Sequence, residues 1–134
     1  TDPSGRYFTL YKRWHLIGLE VGVSVASVAL RGEPTGVAKA WNADVVATAK
    51  RDLHPGDMLD GEGGYTVWGK LLPAATSMQM GGLPLGLAHG VKVIRPVTKG
   101  QSLSWADVAM DTGTRAYAVR KEMEQLFAPG LQAS

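Results

Sequence analysis

The sequence predicts a mainly β domain of short strands arranged around an internal pseudo-twofold repeat, with one helix before it and one helix after it. Three observations favour this fold class: a phrase that occurs twice, a glycine-rich composition, and two flanking segments with helical spacing. Glycine occurs 17 times in 134 residues, and charged residues make up only 19%. Frequent glycine with few charges is typical of a turn-rich β protein rather than of a helical bundle.

The repeated phrase has the pattern Arg-x-(Leu/Val)-x-x-Gly-x-x-Leu and occurs at 51–59 and at 95–103. We expect its apolar third residue to end an incoming strand on the buried face and its last leucine to re-enter the core. The glycine between them provides a backbone conformation that other residues reach only with strain. Two such arches can pack face to face about a pseudo-twofold axis, so the repeat is architectural and carries no reaction chemistry. The matched pairs are Arg51 and Arg95, Leu53 and Val97, Gly56 and Gly100, and Leu59 and Leu103.

Two elements are predicted ahead of the repeat. The alternating residues YFTLY at 7–11 indicate a strand. Apolar residues at helical spacing predict a helix over about 15–31, although three of its valines also alternate as in a strand. The segment RGEPTGVAKAWN at 31–42 has no periodicity and reads as a linker. A stripe of small residues on the helix indicates close packing against another backbone or a ligand; it consists of Gly18, Gly22, Ala26 and Ala29.

The repeat region and the segment after it complete the predicted elements. The segment 73–90 is apolar but broken by Gly and Pro, so we expect short strands and loops there. The segment 114–127 is an amphipathic helix. Strands are predicted at 44–50, 65–72, 90–97 and 105–110. The apolar face of the last helix comprises Ala116, Val119, Met123 and Leu126, and its solvated face Arg120, Lys121, Glu122 and Glu124.

Composition excludes several classes of function. The net charge is only +2 and no block of Lys and Arg occurs, so a nucleic-acid partner is not expected. The absence of cysteine removes disulfides, thiolate metal sites and a cysteine nucleophile, and agrees with a cytoplasmic protein. The apolar run 16–30 is interrupted by Glu20 and is shorter than the roughly 20 residues that a membrane span needs. A secretory signal is the alternative interpretation of this run, because Lys12 and Arg13 precede it.

The sequence contains no strong catalytic or metal-binding motif. His15, His54 and His89 lack the short spacings of metal ligands, and the carboxylates at 57–62 lack the regular order of a calcium loop. Neither a Gly-x-Ser-x-Gly elbow nor a Gly-x-Gly-x-x-Gly turn is present. We therefore predict no metal site and no catalytic residue in this chain.

Residues 45–111 resemble a known family. The phrases VVATAKRDLHPGDML and LAHGVKVIRPVTKGQSLSWADVAMD, with GKLLPA between them, are similar to the SAF domain, which has the β-clip fold. That family includes the carboxyl-terminal domain of sialic acid synthases, type III antifreeze proteins, and flagellar P-ring and pilus assembly factors. SAF domains often carry a polar residue near the bend occupied here by His89, which makes this histidine a candidate site residue.

The preceding segment GRYFTLYKRWHLIGLEVGVSVASVALRGEPTG narrows the resemblance to SAF-containing, NAD(P)-dependent oxidoreductases. These are similar to homoserine dehydrogenase and include enzymes resembling the deoxyxylulose phosphate reductoisomerases. The resemblance implies a Rossmann domain and a substrate domain ahead of this chain. Without them, this chain is expected to bind no cofactor and to be inactive. The implied division is 1–36 as the strand–helix tail of the dehydrogenase part, 37–44 as a linker, 45–111 as the SAF domain, and 112–134 as a helix and tail.

The resemblance also suggests a cofactor-binding or substrate-binding cluster. In homoserine dehydrogenases a strand, a glycine-rich turn and a helix of small residues lie beside the nicotinamide, and Tyr11 matches this pattern loosely. Here Lys12, Arg13, Trp14 and His15 replace the glycines of the turn. Two cations and an imidazole at a helix start would suit a phosphate or carboxylate of the substrate or of NADP. Solvated cations and a packing or capping histidine are the alternative.

The resemblance leaves two functional readings open. In the first, the SAF domain of a cytoplasmic oxidoreductase provides subunit association or an active-site cover. In the second, the chain is a stand-alone SAF binding module, either carbohydrate-binding or a periplasmic flagellar or pilus assembly chaperone. Neither involves nucleic acid or a membrane span. A homo-oligomer interface is expected at Met78, Met80, Leu83, Leu85 and Leu87.

Overall fold

A computed structural model describes residues 2–14 and 16–131, and for 129–131 only the backbone. The chain divides into an N-terminal unit, which ends at Lys39, and a C-terminal unit, which begins at Ala40. Helix makes up 33% and strand 24%, so the protein is a small mixed α/β structure. The expected mainly β composition is therefore too narrow, because helices form in places where the sequence predicts loops.

The N-terminal unit contains helix α1, Ile17–Ala26, which continues as a π-helical segment at Ser27–Arg31. This confirms the predicted helix, and the segment ends at Gly32, whose φ of 66° is left-handed. The predicted strand at 7–11 is wrong, since those residues form irregular, exposed chain. An alternating pattern needs a neighbouring strand to satisfy its backbone groups, and the described part of this unit contains no strand.

The C-terminal unit contains short antiparallel strands in two small sheets. One sheet pairs β1 with β3, and the other has the order β2-β4-β5. The strands are β1 (Ala43–Ala49), β2 (Met58–Asp60), β3 (Val67–Pro73), β4 (His89–Val93) and β5 (Val108–Ala109). The helices are α2 (Ala74–Met80) and α3 (Arg115–Leu131), with 3-10 turns at Leu85–Leu87 and Trp105–Asp107.

Strand and helix predictions in this unit are confirmed in part. The strands at 44–50 and 65–72 and the helix at 114–127 are present, with shifted ends. The strand predicted at 90–97 already ends at Val93, and the first half of 105–110 is a 3-10 turn before the short β5. The prediction for 73–90 is wrong at its start, because 74–80 forms α2.

The two copies of the repeated phrase pair with each other through equivalent residues. Leu53 donates its N–H to the Val97 carbonyl at 2.8 Å, and Val97 donates to the Leu53 carbonyl at 3.0 Å. The β1–β3 pairing at residues 48 and 49 recurs as the β4–β5 pairing at residues 92 and 93, the matching positions of the second copy. The two copies therefore make equivalent, reciprocal contacts centred on Leu53 and Val97.

Glycine occupies the turn of each copy in the conformation that the repeat predicts. Gly56 has a φ of 102° and Gly100 a φ of 85°, both in the left-handed region. The Gly56 N–H donates to the Val93 carbonyl and the Gly100 N–H to the Ala49 carbonyl, each at 2.8 Å. Each turn thus closes onto the strand that leads into the other copy.

The hydrophobic core lies between the two copies. The apolar residues of the phrase, at positions 53, 59, 97 and 103, are all at most 2% exposed. Leu83, expected at an oligomer interface, is completely buried in this core, so that part of the interface prediction is wrong. The core cluster consists of Ala47, Ala49, Leu53, Leu59, Val67, Leu83, Ala88, Val91, Val93, Val97, Leu103 and Val108.

Candidate functional site

Two members of the candidate cluster in the N-terminal unit, Lys12 and Arg13, are engaged by local contacts. Lys12 forms an ion pair with Glu20 of α1. The Arg13 guanidinium lies 5.1 Å from the centroid of the Trp14 ring, within the range of a cation–π contact. Tyr11 is 84% exposed. Lys12 and Arg13 thus have different partners, and an anion would have to compete with a carboxylate for Lys12.

His15, the fourth candidate of this cluster, lies outside the described residues. The cofactor-binding or substrate-binding role of Tyr11, Lys12, Arg13 and His15 therefore stays a prediction.

The other candidate, His89, begins β4 and is positioned by the turn that follows β2. Its Nδ1 lies 3.1 Å from the Asp60 carbonyl oxygen. Because a carbonyl only accepts, this contact assigns the proton of a neutral ring to Nδ1 and leaves Nε2 as an acceptor. Gly61 packs closely against the ring, since an added Cβ would lie 3.1 Å from the His89 Nδ1. The orientation of the imidazole is therefore set by the Asp60 carbonyl at Nδ1 and by the backbone of Gly61 beside it.

The turn that supports His89 is organised by the Asp60 carboxylate. The carboxylate accepts hydrogen bonds from the Thr66 hydroxyl, from the Thr66 N–H at 3.0 Å and from the Tyr65 N–H. The Thr66 hydroxyl has the largest effect and, with the two N–H groups, outweighs burial and lowers the pKa of Asp60 to about 2. The carboxylate at position 60 is thus used within the turn.

His89 lies in a cleft of about 350 Å³ in the C-terminal unit, between β4, β5 and the start of α3. Three polar side chains line it together with two glycines and an apolar floor. The polar side chains are His89, Asp111 and Thr114; the glycines are Gly86 and Gly90; the floor comprises Leu87, Val91, Ala109, Met110 and Ala116.

Sequence reasoning found His89 and missed its two polar neighbours in the cleft. Asp111 accepts a hydrogen bond from the Gly113 N–H at 2.9 Å, and the Thr114 hydroxyl contacts the Asp111 carbonyl at 3.3 Å. The Tyr117 N–H donates to Thr114 Oγ1 at 3.3 Å, as at a helix N-cap. The segment DTGT has the composition of an ordinary helix start, and such a segment carries no signal that marks a cleft wall.

A second polar cluster joins α3 to the rest of the C-terminal unit. Arg120 donates to both carboxylate oxygens of Asp44, at 3.0 and 2.6 Å, and Ser77 donates to one of them at 2.6 Å. Arg120 also donates to Glu124 at 2.8 Å and lies 4.7 Å from the centroid of the Trp41 ring. The prediction of a solvated face is wrong for Arg120 and Glu124, whose side chains are 11% and 17% exposed.

The charges of this cluster are compensated within it. Burial, the largest single influence, disfavours the charged form of Asp44, but the bonds from Arg120 and Ser77 outweigh it and hold the pKa of Asp44 below its usual value. Burial likewise opposes the charge of Arg120, and its two carboxylate partners raise the pKa of that guanidinium. Asp44 and Arg120 thus act as a structural ion pair.

Comparisons with known proteins assign no family. No protein-family model matches the chain, and no curated protein matches it significantly. Over the described residues, no helix is long and apolar enough to cross a membrane. Nor do those residues bring together three or more side chains of the kinds that hold a metal ion.

Proposed function

We propose that the chain is the carboxyl-terminal part of an NAD(P)-dependent oxidoreductase resembling homoserine dehydrogenase, and that its C-terminal unit is a SAF (β-clip) domain. In this cytoplasmic enzyme the domain covers the active site or joins subunits of a homo-oligomer. Hydride transfer belongs to the preceding Rossmann and substrate domains. The N-terminal unit then returns the chain to the dehydrogenase core.

The observation that carries the proposal is the apolar surface of α1. No residue of α1 or of its π-helical continuation is buried. A helix whose surface is largely apolar is normally buried in the core of a larger protein or in a membrane. No hydrophobic side chain is buried among the described residues of its own unit, so we infer that α1 packs into a protein core supplied by the preceding domains. The exposed apolar residues are Ile17, Leu19, Val21, Val23, Val25, Val28 and Leu30.

The stripe of small residues on α1 supports the same role. A Cβ added to Gly18 or Gly22 would meet nothing within 4 Å, so these glycines are not required by contacts in the described structure. Glycine inside a helix costs about 1 kcal/mol relative to alanine. Close approach of another backbone, as in the interior of a dehydrogenase domain, would offset that cost.

The paired arches of the C-terminal unit support the SAF assignment. The unit pairs Leu53 with Val97 reciprocally and closes each arch with a left-handed glycine. Interlocked arches of short strands are what the resemblance implies for a β-clip. A stand-alone SAF binding module is the second candidate, and the cleft at His89 is the observation that favours it.

The test begins with the native gene product, whose mass is measured after purification from its own source. A dehydrogenase tail requires a polypeptide longer by about 250–300 residues, the size of two further domains, that binds NADPH or NADH. A product near 14.3 kDa, or a long product that binds neither, would refute the proposal. A mature product that begins near Arg31 would instead favour the exported binding module.

Variants of the long product then test α1 itself. Val25→Asp should abolish the soluble, NADPH-binding form, because it would place a carboxylate in the proposed core. Val37→Asp is the matched control, since this valine is as exposed as Val25 and lies in the linker. Equal NADPH binding by both variants would show that α1 is not part of the dehydrogenase core.

A further inference from the structure

We propose that the cleft at His89 binds a neutral, hydroxyl-rich small molecule, such as a polyol or a monosaccharide. The hydrogen bonds would be made by His89, Asp111 and Thr114. This inference deepens the second candidate function, the stand-alone binding module, by naming its ligand class; it is argued from the C-terminal unit alone and does not require the oxidoreductase assignment.

The polar wall of the cleft is dominated by hydrogen-bond acceptors. Asp111 presents a carboxylate, which accepts only. Nε2 of a neutral His89 is an acceptor, because Nδ1 faces the Asp60 carbonyl. The Thr114 hydroxyl is already directed toward the Asp111 carbonyl. A ligand that satisfies such a wall must bring donors, and several adjacent hydroxyl groups are the simplest way to do so.

The charges that line the cleft disfavour the binding of both anions and cations. None of the described residues that line the cleft is a lysine or arginine, so a phosphate or carboxylate would have no counter-charge beside Asp111. A cation would meet a single carboxylate there and would also lie near the first turn of α3, where the helix dipole is positive. A neutral ligand avoids both penalties.

The floor of the cleft suits the carbon side of such a ligand. Leu87 and Met110 are partly buried and Val91 is buried, so they form an apolar surface beneath the polar wall. Polyols and sugars present C–H groups on one face and hydroxyls at their edges. Small-molecule sites commonly combine an apolar lining with a few convergent polar groups in this way, and a volume of about 350 Å³ is within their usual range.

The polar groups are held in place before any ligand arrives. His89 is fixed by the Asp60 carbonyl and by Gly61, and Asp60 is itself held by three donors from the turn. Asp111 accepts from the Gly113 N–H, and Thr114 caps α3. Because hydrogen bonds within the protein already orient these side chains, binding would lose less conformational entropy than binding to side chains without such partners.

The test is an NMR titration of the ¹⁵N-labelled 134-residue chain with xylitol, sorbitol and D-glucose, beside inorganic phosphate and ethanolamine. We expect saturable shifts from at least one hydroxyl compound, confined to amides of 86–91 and 109–116. Absence of saturable shifts from all three hydroxyl compounds would overturn the proposal. Tighter binding of phosphate or ethanolamine at this cleft would overturn it as well.

Variants locate the site. Asp111→Asn and His89→Ala should each weaken binding of the hydroxyl compound by roughly tenfold, the effect of losing one hydrogen bond to a bound ligand. Glu62→Gln and His54→Ala are the matched controls, because both residues are exposed and lie outside the cleft. Unchanged affinity in both cleft variants would refute the assigned residues. The amide spectra of Asp111→Asn and His89→Ala show whether these two variants are folded. If one of them is not folded, Thr114→Val takes its place in the test.

Discussion

The two units use similar apolar residues with opposite results. In the N-terminal unit the valines and leucines of α1 are exposed, and Leu19 is 71% exposed. In the C-terminal unit Val46 and Leu103 are completely buried. The difference comes from pairing between distant segments, because β1 meets β3 and Leu53 meets Val97 across the repeat. Apolar residues therefore form a core only when a second segment of the protein packs against them.

The two long helices differ in the same sense. Helix α3 is tied to β1 and α2 by the bonds of Arg120 and Ser77 to Asp44. In α1 an ion pair joins Glu20 to Lys12, eight residues away in the sequence. A bond between distant segments anchors a helix in a fold, whereas a pair within one short stretch of chain does not.

The largest expected effect contrasts a core residue of the C-terminal unit with an exposed residue of α1. Leu103→Ala should lower the free energy of unfolding of the C-terminal unit by about 2–5 kcal/mol, because it removes buried methyl groups and leaves a cavity. Leu19→Ala in α1 should change it by less than about 0.5 kcal/mol, as for other exposed positions. Urea unfolding followed by tryptophan fluorescence measures both. Similar losses in the two variants would abolish the contrast between the units.

The next effect concerns the anchoring of α3. Arg120→Ala should lower the free energy of unfolding by about 3 kcal/mol, because Asp44 would keep a buried charge without its partner. Arg115→Ala, at an exposed position of the same helix, should change it by at most about 0.5 kcal/mol. Hydrogen exchange of α3 amides measures the anchoring directly. Equal exchange rates in the two variants would contradict a role of the ion pair in holding this helix.

The smallest effect is a change in pH dependence at the turn that holds His89. The pKa of Asp60 is about 2 in the folded chain and 3.8 in its ordinary state, so the folded state favours the ionised form. The resulting stability is present above pH 3.8 and is lost as the pH falls toward 2. Thr66→Val removes the largest cause of the shift. It should raise the pKa of Asp60 toward 3.8 and reduce this loss.

NMR titration of the Asp60 carboxyl carbon, together with acid unfolding curves, measures the effect. Thr98→Val is the control, because Thr98 lies in the turn of the second copy at an exposed position and does not contact Asp60. If Thr66→Val left the pKa of Asp60 unchanged, the hydroxyl would not be what organises this turn.

Much of the fold was predictable because its signals are local or repeated. The two copies of the phrase identified the core leucines and the left-handed glycines before any contact was known. The helices at 15–31 and 114–127 followed from spacing. The strand at 7–11 and the solvated position of Arg120 were wrong for one reason: each depended on a distant partner. A strand needs a neighbour to pair with, and Arg120 acquires Asp44 only when α3 folds back onto β1.

The candidate sites show the same division. His89 was predicted from a resemblance, yet its orientation depends on Asp60 and Gly61 of another strand and turn. Asp111 and Thr114 carried only the signal of a helix cap, and the cleft became visible when β4 and β5 paired beside the start of α3. The N-terminal cluster was defined by adjacent residues, which sequence reasoning can find without knowing which atoms they meet.

The sequence by itself thus determined the repeat, its turns, the flanking helices and the lack of strong catalytic and metal-binding motifs, because each depends on residue type and short spacing. Tertiary structure alone decided which apolar residues are buried, which charges are paired and which polar side chains share a cleft. The physical reason is that burial and pairing are properties of two surfaces. A sequence specifies each surface separately, and only folding brings the two together.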